Sequence, residues 1–439
     1  MKLDTKRTVL VGFAFLSICA FWQMYDNLVP LILTNTFHLN ETVSGAIMAA
    51  DNVLALFLLP LFGGLSDKCT SRLGRRRPFI LFGTIAAICL MLMLPLFADS
   101  YHAVPSGGKI ALFICVLGLL LVAMGTYRSP AVALMPDITP KPLRSKANAI
   151  INLMGAVGGI LYLLITTFLY HVKSETYVSF FPLFAIVAGI MAAALAVVMF
   201  LVNEPELVKK QQEYESKHPE DNLTRHTAQG DTLPADVKKS LTFLLVSISL
   251  WFVGYNGVST WFSVYAENIW GMSLGQANTC LTIATGGAIL SYIPIGTVAS
   301  HIGRRKTIRF GTLLLSGSFL AAFLLTIVLD GFSPVLYILF LLVGLAWASI
   351  NVNSLPMVVE MCKGSEVGKF TGLYYTFSMS AQIVTPIVAG WLLRNVSYRS
   401  LFPYAAMFVF ASFITMGFVR HGDNRVPAKK GLEAYDVED

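Results

Sequence analysis

The chain has 439 residues, of which 55% are hydrophobic and only 13% are charged. Because a soluble domain carries roughly 25% charged residues, this composition excludes an ordinary soluble enzyme. The net charge is +7, but the basic residues lie in short loops between apolar segments and not on one soluble face, so the chain is expected to meet a lipid bilayer and no nucleic acid.

Twelve long apolar runs follow one another along the chain, and each is long enough for a transmembrane helix of about 20 residues. Segments such as 110–124 do not alternate polar and apolar residues, as the strands of a membrane barrel would. The sequence therefore predicts an all-α membrane protein with twelve transmembrane helices. These predicted helices 1 to 12 cover residues 9–35, 43–65, 78–98, 109–136, 145–170, 179–202, 240–266, 272–299, 307–329, 334–359, 366–392 and 400–419.

The lysines and arginines divide unequally between the two sides that these helices define. Twenty-seven of the 32 fall in alternate loops and at both chain ends, four fall in the other loops, and Arg128 lies within a helix. Cytoplasmic loops of membrane proteins are rich in lysine and arginine. The pattern predicts a multi-pass protein of the cell membrane with both termini in the cytoplasm.

One long polar segment separates the first six helices from the last six. Residues 203–239 contain three prolines, charges of both signs and little apolar periodicity, which is typical of a linker. We therefore predict a six-helix half at 1–202, a cytoplasmic linker loop at 203–239, a second six-helix half at 240–422 and a cytoplasmic tail at 423–439.

Neither catalysis nor a cofactor is indicated by the sequence. The six cysteines lie in predicted helices or cytoplasmic loops, without the paired spacing of a metal site. The chain has no phosphate-binding loop and no constellation of catalytic side chains. We expect no enzyme activity, no metal and no cofactor.

Two patterns recur in both halves at an offset near 230 residues. The first pairs Trp22 and Asn27 in predicted helix 1 with Trp251 and Asn256 in predicted helix 7. A repeated pattern of this kind indicates that the two halves are structurally equivalent.

The loop between predicted helices 2 and 3 carries the second repeated pattern. Gly63-x3-Asp67 is followed by a glycine and three arginines at 74–77, and residues 296–306 repeat this arrangement in the second half. A parallel repeat of two six-helix halves resembles the major facilitator superfamily, whose substrate site lies near the membrane midplane between the halves. This resemblance implies the major facilitator fold.

Within this superfamily, residues 66–80, with the sequence SDKCTSRLGRRRPFI, closely resemble the same loop of the sucrose-proton symporters. In predicted helix 4, the segment 128–130 followed by Asp137 is similar to the bacterial branch of that group. Plant members carry an arginine two residues after the proline, where this chain has Val132, so the resemblance implies that Arg128 takes its part. A proton-coupled sugar symporter is the function that this resemblance implies.

The basic loops can do more than retain the topology of the chain. Asp67 serves no topological purpose, and its carboxylate can pair with arginines at a helix end to form a latch that closes the cytoplasmic side. The alternative is that the arginines act only as positive charges that fix the orientation. The predicted gating residues are Gly63, Asp67, Arg75, Arg76, Arg77, Asp137, Arg304 and Arg305.

Only three ionisable residues lie deep within the predicted helices, namely Asp26, Asp51 and Arg128. A charge at the centre of a helix costs about 2.5–3.5 kcal/mol to insert, so it marks a functional site by default. Apolar surroundings favour a protonated carboxyl group, whereas a nearby arginine favours the ionised form. An aspartate that gains and loses Arg128 would therefore take up and release a proton, and we predict these three residues as the ion-coupling site, with Asp26 as the proton carrier.

The sequence leaves two alternatives for these residues. Asp26 and Arg128 can form a permanent buried ion pair with a structural role only. A sodium ion can also bind to side-chain oxygen atoms, here those of Asp26, Asp51, Asn27 and Asn52.

Five predicted helices, namely 1, 5, 7, 10 and 11, each carry polar and aromatic residues on one face at helical spacing. Superfamily members use these helices to line their substrate cavity, and neutral donors, acceptors and aromatic faces suit a sugar. The alternative is that small and polar residues only join helices together. The predicted substrate-binding residues are Trp22, Gln23, Asn27, Asn148, Asn152, Trp251, Tyr255, Asn256, Trp347, Asn351, Tyr374 and Gln382.

Together these features predict a secondary active transporter that moves a small neutral sugar, such as sucrose, maltose or another glucoside, inward with a proton by alternating access. One alternative is a proton-linked exporter of hydrophobic cations, for which Asp26 and Asp51 would bind the substrate. The other is a membrane sensor that does not transport, with 203–239 as a docking segment for a partner.

Overall fold

The computed structural model describes residues 4–140, 143–171, 177–217, 234–329, 331–361 and 367–423. Within these residues the chain is helical and contains no strand. The α-helices are α1 Thr5–Leu31, α2 Glu41–Asp67, α3 Arg77–Ala103, α4 Gly107–Ile138, α5 Arg144–Leu169, α6 Phe181–Leu201, α7 Glu204–Lys217, α8 Ala235–Trp270, α9 Leu274–Ile302, α10 Arg304–Val328, α11 Val335–Glu360, α12 Val367–Asn395 and α13 Leu401–Met416. A π-helical turn, Ile32–Thr36, extends α1, and a 3-10 turn, Tyr398–Ser400, precedes α13.

Twelve of these helices, all except α7, are long and apolar enough to cross a membrane. They correspond one by one to the twelve predicted helices, so the predicted fold class is confirmed. A helix satisfies its backbone hydrogen bonds within its own segment, which is why apolar runs of this length become helices in lipid.

The first part of the predicted linker is a helix and not a loop. Residues 204–217, EPELVKKQQEYESK, form α7, because glutamate, lysine and glutamine are good helix formers and two acids lie in the first turn, where they favour the helix dipole. Glu206 and Lys210 form an i,i+4 ion pair, and the hydrogen bond and charge of Lys210 lower the pKa of Glu206. Helix α8 also begins earlier than expected, at Ala235.

The chain forms two compact units. Unit 1 comprises Met1–Asn40 and Ala50–Asn222, and unit 2 comprises Glu41–Ala49 and Leu223–Asp439. Residues 218–233 of the predicted linker and 424–439 of the predicted tail lie outside the described residues.

Small residues bring helices close together within unit 1. Helix α1 packs on α5, and α3 packs on α4. Gly158 of α5 lies directly against the backbone carbonyl of Leu16 in α1, and Gly83 of α3 lies against Tyr127 of α4. Because a larger side chain at either glycine would separate the helices, these contacts hold α1 and α4 in place, and both helices carry polar residues of the site.

Glycines also allow close helix packing within unit 2. Helix α11 packs on α9 and α10, and α8 packs on α12 and α13. Gly344 of α11 lies against the carbonyl of Ala284 in α9, and Gly311 of α10 lies against the carbonyl of Ala346. The tightly held α8 and α11 provide the aromatic residues that the sequence predicted for substrate binding.

Candidate functional site

Helices α1, α2 and α4 of unit 1 hold the three predicted ion-coupling residues. Asp26, Asp51 and Arg128 are all half-buried. The charge of Asp26 interacts with those of both Asp51 and Arg128, so the structure brings the three residues into one electrostatic group. We call them the coupling cluster.

Arg128 does not form the permanent ion pair that the sequence left as an alternative. Among the described residues, no ion pair joins Arg128 to Asp26 or to Asp51. Its guanidinium instead lies over the indole ring of Trp22, 5.4 Å from the ring centroid, as in a cation–π contact. Arg128 is therefore held near both carboxyl groups without being committed to either.

The two aspartates have different hydrogen-bond environments. Asp51 Oδ1 accepts hydrogen bonds from the backbone N–H of Asn52 at 2.6 Å and from its side-chain amide at 2.8 Å. Within the described residues, no hydrogen bond reaches the carboxyl group of Asp26. Hydrogen bonds to a carboxylate favour its ionised form, and only Asp51 receives them.

Tyr25 is a neighbour of this cluster that sequence reasoning missed. Its side chain is 1% exposed, and it interacts electrostatically with Asp51 and Asp26. The only sequence signal is its position directly before Asp26 in an aromatic stretch of α1.

The side chain of Asn27 has a hydrogen-bond partner on another helix of unit 1. Its side-chain oxygen accepts a hydrogen bond of 2.8 Å from the hydroxyl group of Tyr162 on α5, and both residues are buried. This contact joins α1 to α5 and engages one of the side-chain oxygens that the sodium alternative would use. Three other predicted residues of unit 1, namely Gln23, Asn148 and Asn152, are half-buried.

In unit 2, α8, α11 and α12 together form an aromatic cluster. The rings of Tyr255 and Trp347 are stacked, with centroids 3.7 Å apart and planes 10° apart. Phe252 meets Trp347 edge to face at 5.5 Å and Tyr374 at 6.5 Å. We call Tyr255, Trp347, Phe252 and Tyr374 the aromatic cluster, of which Phe252 was not predicted.

The other predicted residues of unit 2 divide by exposure. Trp251 is 0% exposed, so it has no surface for a ligand in this conformation. Asn351 and Tyr374 are also buried, and Tyr374 shares a hydrogen bond of 3.2 Å with Ser354. The half-buried residues are Tyr255, Asn256, Trp347 and Gln382.

The arginines after α2 form a compact network with the predicted carboxylates. Asp137 of α4 binds Arg75 Nη2 at 2.7 Å and Arg76 Nε at 2.8 Å, and Arg76 also pairs with Asp67. The guanidinium of Arg76 further donates to Ser66 Oγ. Burial alone would lower the pKa of Arg76, but the hydrogen bonds and charges of Asp137 and Asp67 outweigh it and raise that pKa.

Arg77 and Gly63 belong to the same region. Arg77 begins α3 and donates to the carbonyl groups of Met199 and Leu73. Gly63 accepts a hydrogen bond of 3.4 Å from Arg76 through its carbonyl group. The predicted gating residues of unit 1 are therefore brought together. We call them the arginine cluster, which consists of Gly63, Asp67, Arg75, Arg76, Arg77 and Asp137.

Glu204, which was assigned to the linker, completes the arginine cluster. Glu204 is 1% exposed, and its carboxylate accepts hydrogen bonds of 2.9–3.1 Å from the backbone N–H groups of Arg75, Arg76 and Arg77. These groups lie at the N-terminus of α3, where a negative charge is favoured. The first residue of α7 thereby caps α3.

The position of the Glu204 carboxylate also explains why residue 74 is a glycine. Its φ is +107°, which few other residues adopt, and an added Cβ would meet the carboxylate of Glu204. We expect Gly74→Ala to lower the free energy of unfolding by about 2 kcal/mol, because a backbone of this kind costs about 1–3 kcal/mol without glycine. Gly64→Ala, where an added Cβ meets no atom within 4 Å, is the matched control for thermal unfolding and should not lower the stability, because alanine is the better helix former. An equal loss in both variants would contradict this account.

Unit 2 contains a counterpart of the arginine cluster. Arg304 pairs with Glu360 at the end of α11, as Arg76 pairs with Asp137. Arg305 donates to the carbonyls of Met416 and Gly417, as Arg77 donates to Met199. By their contacts, Arg304 and Arg305 are thus equivalent to Arg76 and Arg77, which is one residue away from their alignment in the sequence repeat. The shift arises because α10 begins directly after Gly303.

A carboxylate also caps α10 in unit 2. Asp423 accepts a hydrogen bond of 3.1 Å from the backbone N–H of Arg305 and lies against Gly303, whose φ is +97°. Glu204 and Asp423 both follow the last membrane helix of their half. This recurrence of an acid was the sequence signal that could have identified them.

A family model described as Major Facilitator Superfamily matches residues 11–269 and 265–434 of the chain. Sucrose transport protein SUC3 of Arabidopsis thaliana is 32% identical over 146 residues, which are 30% of this chain and 24% of that protein. Sucrose transport protein SUC4 of Arabidopsis thaliana is 40% identical over 114 residues, 24% of this chain and 22% of that protein. The matched segments span about a quarter of these relatives, and the predicted resemblance is confirmed.

Solved structures with the same fold cover almost the whole chain. A D-xylose-proton symporter superposes with a TM-score of 0.67 at 16% identity and covers 95% of this chain and 98% of its own. The xylose transporter XylE from E. coli, in an inward open conformation, has a TM-score of 0.66 at 15% identity, with 97% of each chain covered. At these identities the likeness concerns the fold.

Proposed function

Because the chain belongs to the major facilitator superfamily, we propose that it is a secondary active transporter that carries a neutral sugar together with a proton by alternating access. The observation that carries this proposal is the coupling cluster, in which Asp26 lies within electrostatic range of Arg128 and Asp51 but is bound to neither. The sucrose transport proteins among its relatives support a glucoside such as sucrose or maltose as the substrate.

Asp26 is the proton carrier in this proposal, and Asp51 keeps its negative charge. Two carboxylates that share one arginine do not both ionise readily. The hydrogen bonds from Asn52 to Asp51 stabilise the ionised form there, so the proton goes to Asp26. One charge that crosses a potential of about 100 mV supplies about 2.3 kcal/mol, which accumulates a sugar roughly fifty-fold.

The half-buried rings of Tyr255 and Trp347 in the aromatic cluster are the sugar-binding surface of unit 2 in this proposal. Aromatic faces bind the apolar faces of ligands, while a few polar groups set their orientation. The Nδ2 atom of Asn256 is buried and has no hydrogen-bond partner among the described residues, so it can donate to a sugar hydroxyl group in a conformation that exposes it. We assign substrate contact to the half-buried predicted residues, which are Tyr255, Asn256, Trp347 and Gln382 in unit 2 and Trp22, Gln23, Asn148 and Asn152 in unit 1. We assign structural support to the buried ones, Asn27, Trp251, Asn351 and Tyr374.

Trp347→Leu is expected to raise the sugar KM about ten-fold, because the loss of aromatic stacking of about 1.4 kcal/mol corresponds to that factor. The measurement is sugar uptake at graded concentrations in proteoliposomes. Trp391→Leu is the control, since this tryptophan of the same unit is 51% exposed and should leave the KM unchanged. An unchanged KM in Trp347→Leu would remove the aromatic cluster from the binding surface.

The arginine cluster and its counterpart around Arg304 and Arg305 serve as gating elements in this proposal. Each holds the ends of neighbouring helices by ion pairs that can break and reform as the transporter changes conformation. We further propose that the protein resides in the cell membrane with both chain ends in the cytoplasm, as the distribution of lysine and arginine favours.

Uptake of labelled sucrose and maltose into proteoliposomes tests the function directly. An imposed pH gradient, acidic outside, should drive accumulation, whereas a sodium gradient of equal size should not. The sugar proposal is wrong if neither gradient moves either sugar. If the pH gradient then drives efflux of a hydrophobic cation, the protein is an exporter.

A further inference from the structure

Arg309 of α10 is a cation that the proposed transport cycle does not use. Its guanidinium lies over the ring of Phe413 in α13, 4.6 Å from the centroid. Its Nε atom is buried and has no hydrogen-bond partner in the part of the chain that the structure describes, and no acidic side chain there forms an ion pair with it. A guanidinium has five N–H donors, and donors in such surroundings nearly always have an acceptor. We therefore expect an acceptor from outside the described chain.

The position of Arg309 along α10 corresponds to the level of the lipid headgroups. Helix α10 has 25 residues, so it is about 37 Å long and exceeds the hydrocarbon core of about 30 Å. Arg309 lies about 7.5 Å along the helix axis from Arg304, the first residue of α10, and therefore near the border between headgroups and hydrocarbon. The basic residues at this end of α10 assign it to the cytoplasmic side, so the inference rests on the proposed orientation of the chain and not on the transport of a sugar.

Arg309 adjoins the face of unit 2 that is available to lipid. Helix α10 packs on α13, and Phe310 and Leu313 on α10 are exposed. On α13, the exposed Phe410 stacks on Phe413, with centroids 5.8 Å apart. Side chains three or four positions apart adjoin on a helix, so these apolar residues provide a surface for acyl chains directly beside the guanidinium.

The charge beside Arg309 is positive. Lys306, about one helical turn before it, is exposed and forms no ion pair with a residue of the described ranges. Asp423, the acid at this end of α10, accepts its hydrogen bond from the backbone N–H of Arg305. Basic sites between membrane helices on the cytoplasmic side bind the headgroups of anionic lipids, and arginine binds phosphate through two parallel hydrogen bonds. The expected ligand is therefore a phosphate with uncompensated negative charge.

We propose that Arg309, Lys306 and Phe413 form a binding site for one anionic phospholipid of the cytoplasmic leaflet. The Nη N–H groups of Arg309 bind the phosphate oxygens, and Phe413 holds the guanidinium plane from its other face. The ammonium group of Lys306 attracts the net negative charge of the headgroup. A zwitterionic lipid also has a phosphate, but its headgroup carries a cation that Lys306 repels. The acyl chains lie on the exposed apolar residues of α10 and α13.

Native mass spectrometry of the full chain in detergent, titrated with phosphatidylglycerol, measures the apparent Kd of the first bound lipid. Arg309→Gln is expected to raise this Kd about five-fold, the factor that one lysine or arginine contributes near an anionic membrane surface. Phosphatidylcholine should bind the parent more weakly and should bind both proteins equally. Arg72→Gln is the matched control, because it removes the same group from an exposed position in the loop before α3. It should leave the Kd for phosphatidylglycerol unchanged.

Two further variants separate the parts of the site. Arg309→Lys keeps the charge but loses the planar fork of the guanidinium, so its Kd should lie between those of the parent and Arg309→Gln. Phe413→Leu leaves every charge in place and removes only the ring beneath the guanidinium. It should raise the Kd by about two- to five-fold, which is the range of a cation–π contact at an exposed site.

Thermal unfolding in phosphatidylcholine vesicles provides a second readout, because a ligand that binds the folded state raises the unfolding temperature. Without further additions, the parent, Arg309→Gln and Arg72→Gln should unfold at the same temperature, which separates loss of the lipid from a folding defect. Added phosphatidylglycerol should stabilise the parent and Arg72→Gln more than Arg309→Gln. Inorganic phosphate should stabilise none of them.

Three results would overturn the inference. The first is an equal Kd for phosphatidylglycerol in the parent and in Arg309→Gln. The second is an equal loss of affinity in Arg309→Gln and Arg72→Gln, since that would indicate only a general attraction of the lipid by positive charge. The third is stabilisation of the parent by inorganic phosphate as large as that by the lipid, which would assign the site to a soluble phosphate. None of these measurements involves a sugar, so they stand apart from the test of the proposed transport.

Discussion

Asp26→Asn is expected to abolish sugar accumulation driven by a proton gradient, reducing it from roughly fifty-fold for a driving force of about 100 mV to about one-fold. Asparagine has nearly the same shape as aspartate but takes up no proton, so each transport cycle carries sugar without charge. Exchange of labelled internal sugar for external sugar, which needs no net proton movement, should be retained. The measurement is uptake and exchange in the same proteoliposomes.

Two variants serve as controls for Asp26→Asn. Asp99→Asn replaces another half-buried aspartate of unit 1, which is hydrogen-bonded to Tyr177 at 2.7 Å and Ser179 at 2.6 Å, and should leave accumulation intact. Asp51→Asn should weaken accumulation without abolishing it. Loss of accumulation in Asp51→Asn together with its retention in Asp26→Asn would place the proton on Asp51 and contradict our assignment.

Glu204→Ala is expected to lower the free energy of unfolding by about 3 kcal/mol. The buried carboxylate serves three consecutive backbone N–H groups, and each hydrogen bond to a charged group contributes about 1.5–3 kcal/mol, of which water entering the space recovers a part. Arg76 would then carry its positive charge beside unsatisfied backbone donors at the start of α3. Thermal unfolding of the purified protein measures the loss, and slower sugar exchange is expected alongside it.

The chain offers a control in the same helix. Glu206 has a side chain 54% exposed and forms an ion pair with Lys210, and an exposed ion pair contributes little to stability. Glu206→Ala should therefore unfold like the parent. Asp423→Ala, which removes the hydrogen bond from the backbone N–H of Arg305 in unit 2, should fall between the two. A Glu204→Ala variant as stable as Glu206→Ala would refute the capping role.

The fold and the location of the coupling cluster were predictable from contiguous sequence. Twelve apolar runs and the alternation of basic loops require no knowledge of which helix packs on which, because insertion into lipid depends on each segment separately. Asp26, Asp51 and Arg128 were identifiable for the same reason, since a charge within an apolar run is conspicuous in the sequence alone. The glycine and arginines at 74–77 were identifiable from their repetition in both halves.

The roles of individual polar residues depended on contacts across long separations in sequence. A helical repeat tells which residues share a face, but it does not tell that Tyr162 hydrogen-bonds to Asn27 or that the core of unit 2 covers Trp251. The sequence predicted that Glu204 lies in a loop. In the structure it is the first residue of α7, and its carboxylate binds the backbone at the start of α3.

The sequence by itself determined the number of membrane helices, the division into halves and the presence of charges deep in the first half. Only the tertiary structure decided that Arg128 lies over Trp22 and not on an aspartate, that Asn52 supports Asp51 alone, and that the carboxylate of Glu204 binds the backbone N–H groups at the start of α3. The physical reason is that hydropathy belongs to a segment, whereas a hydrogen bond or an ion pair depends on distances of about 3 Å between residues that only packing brings together.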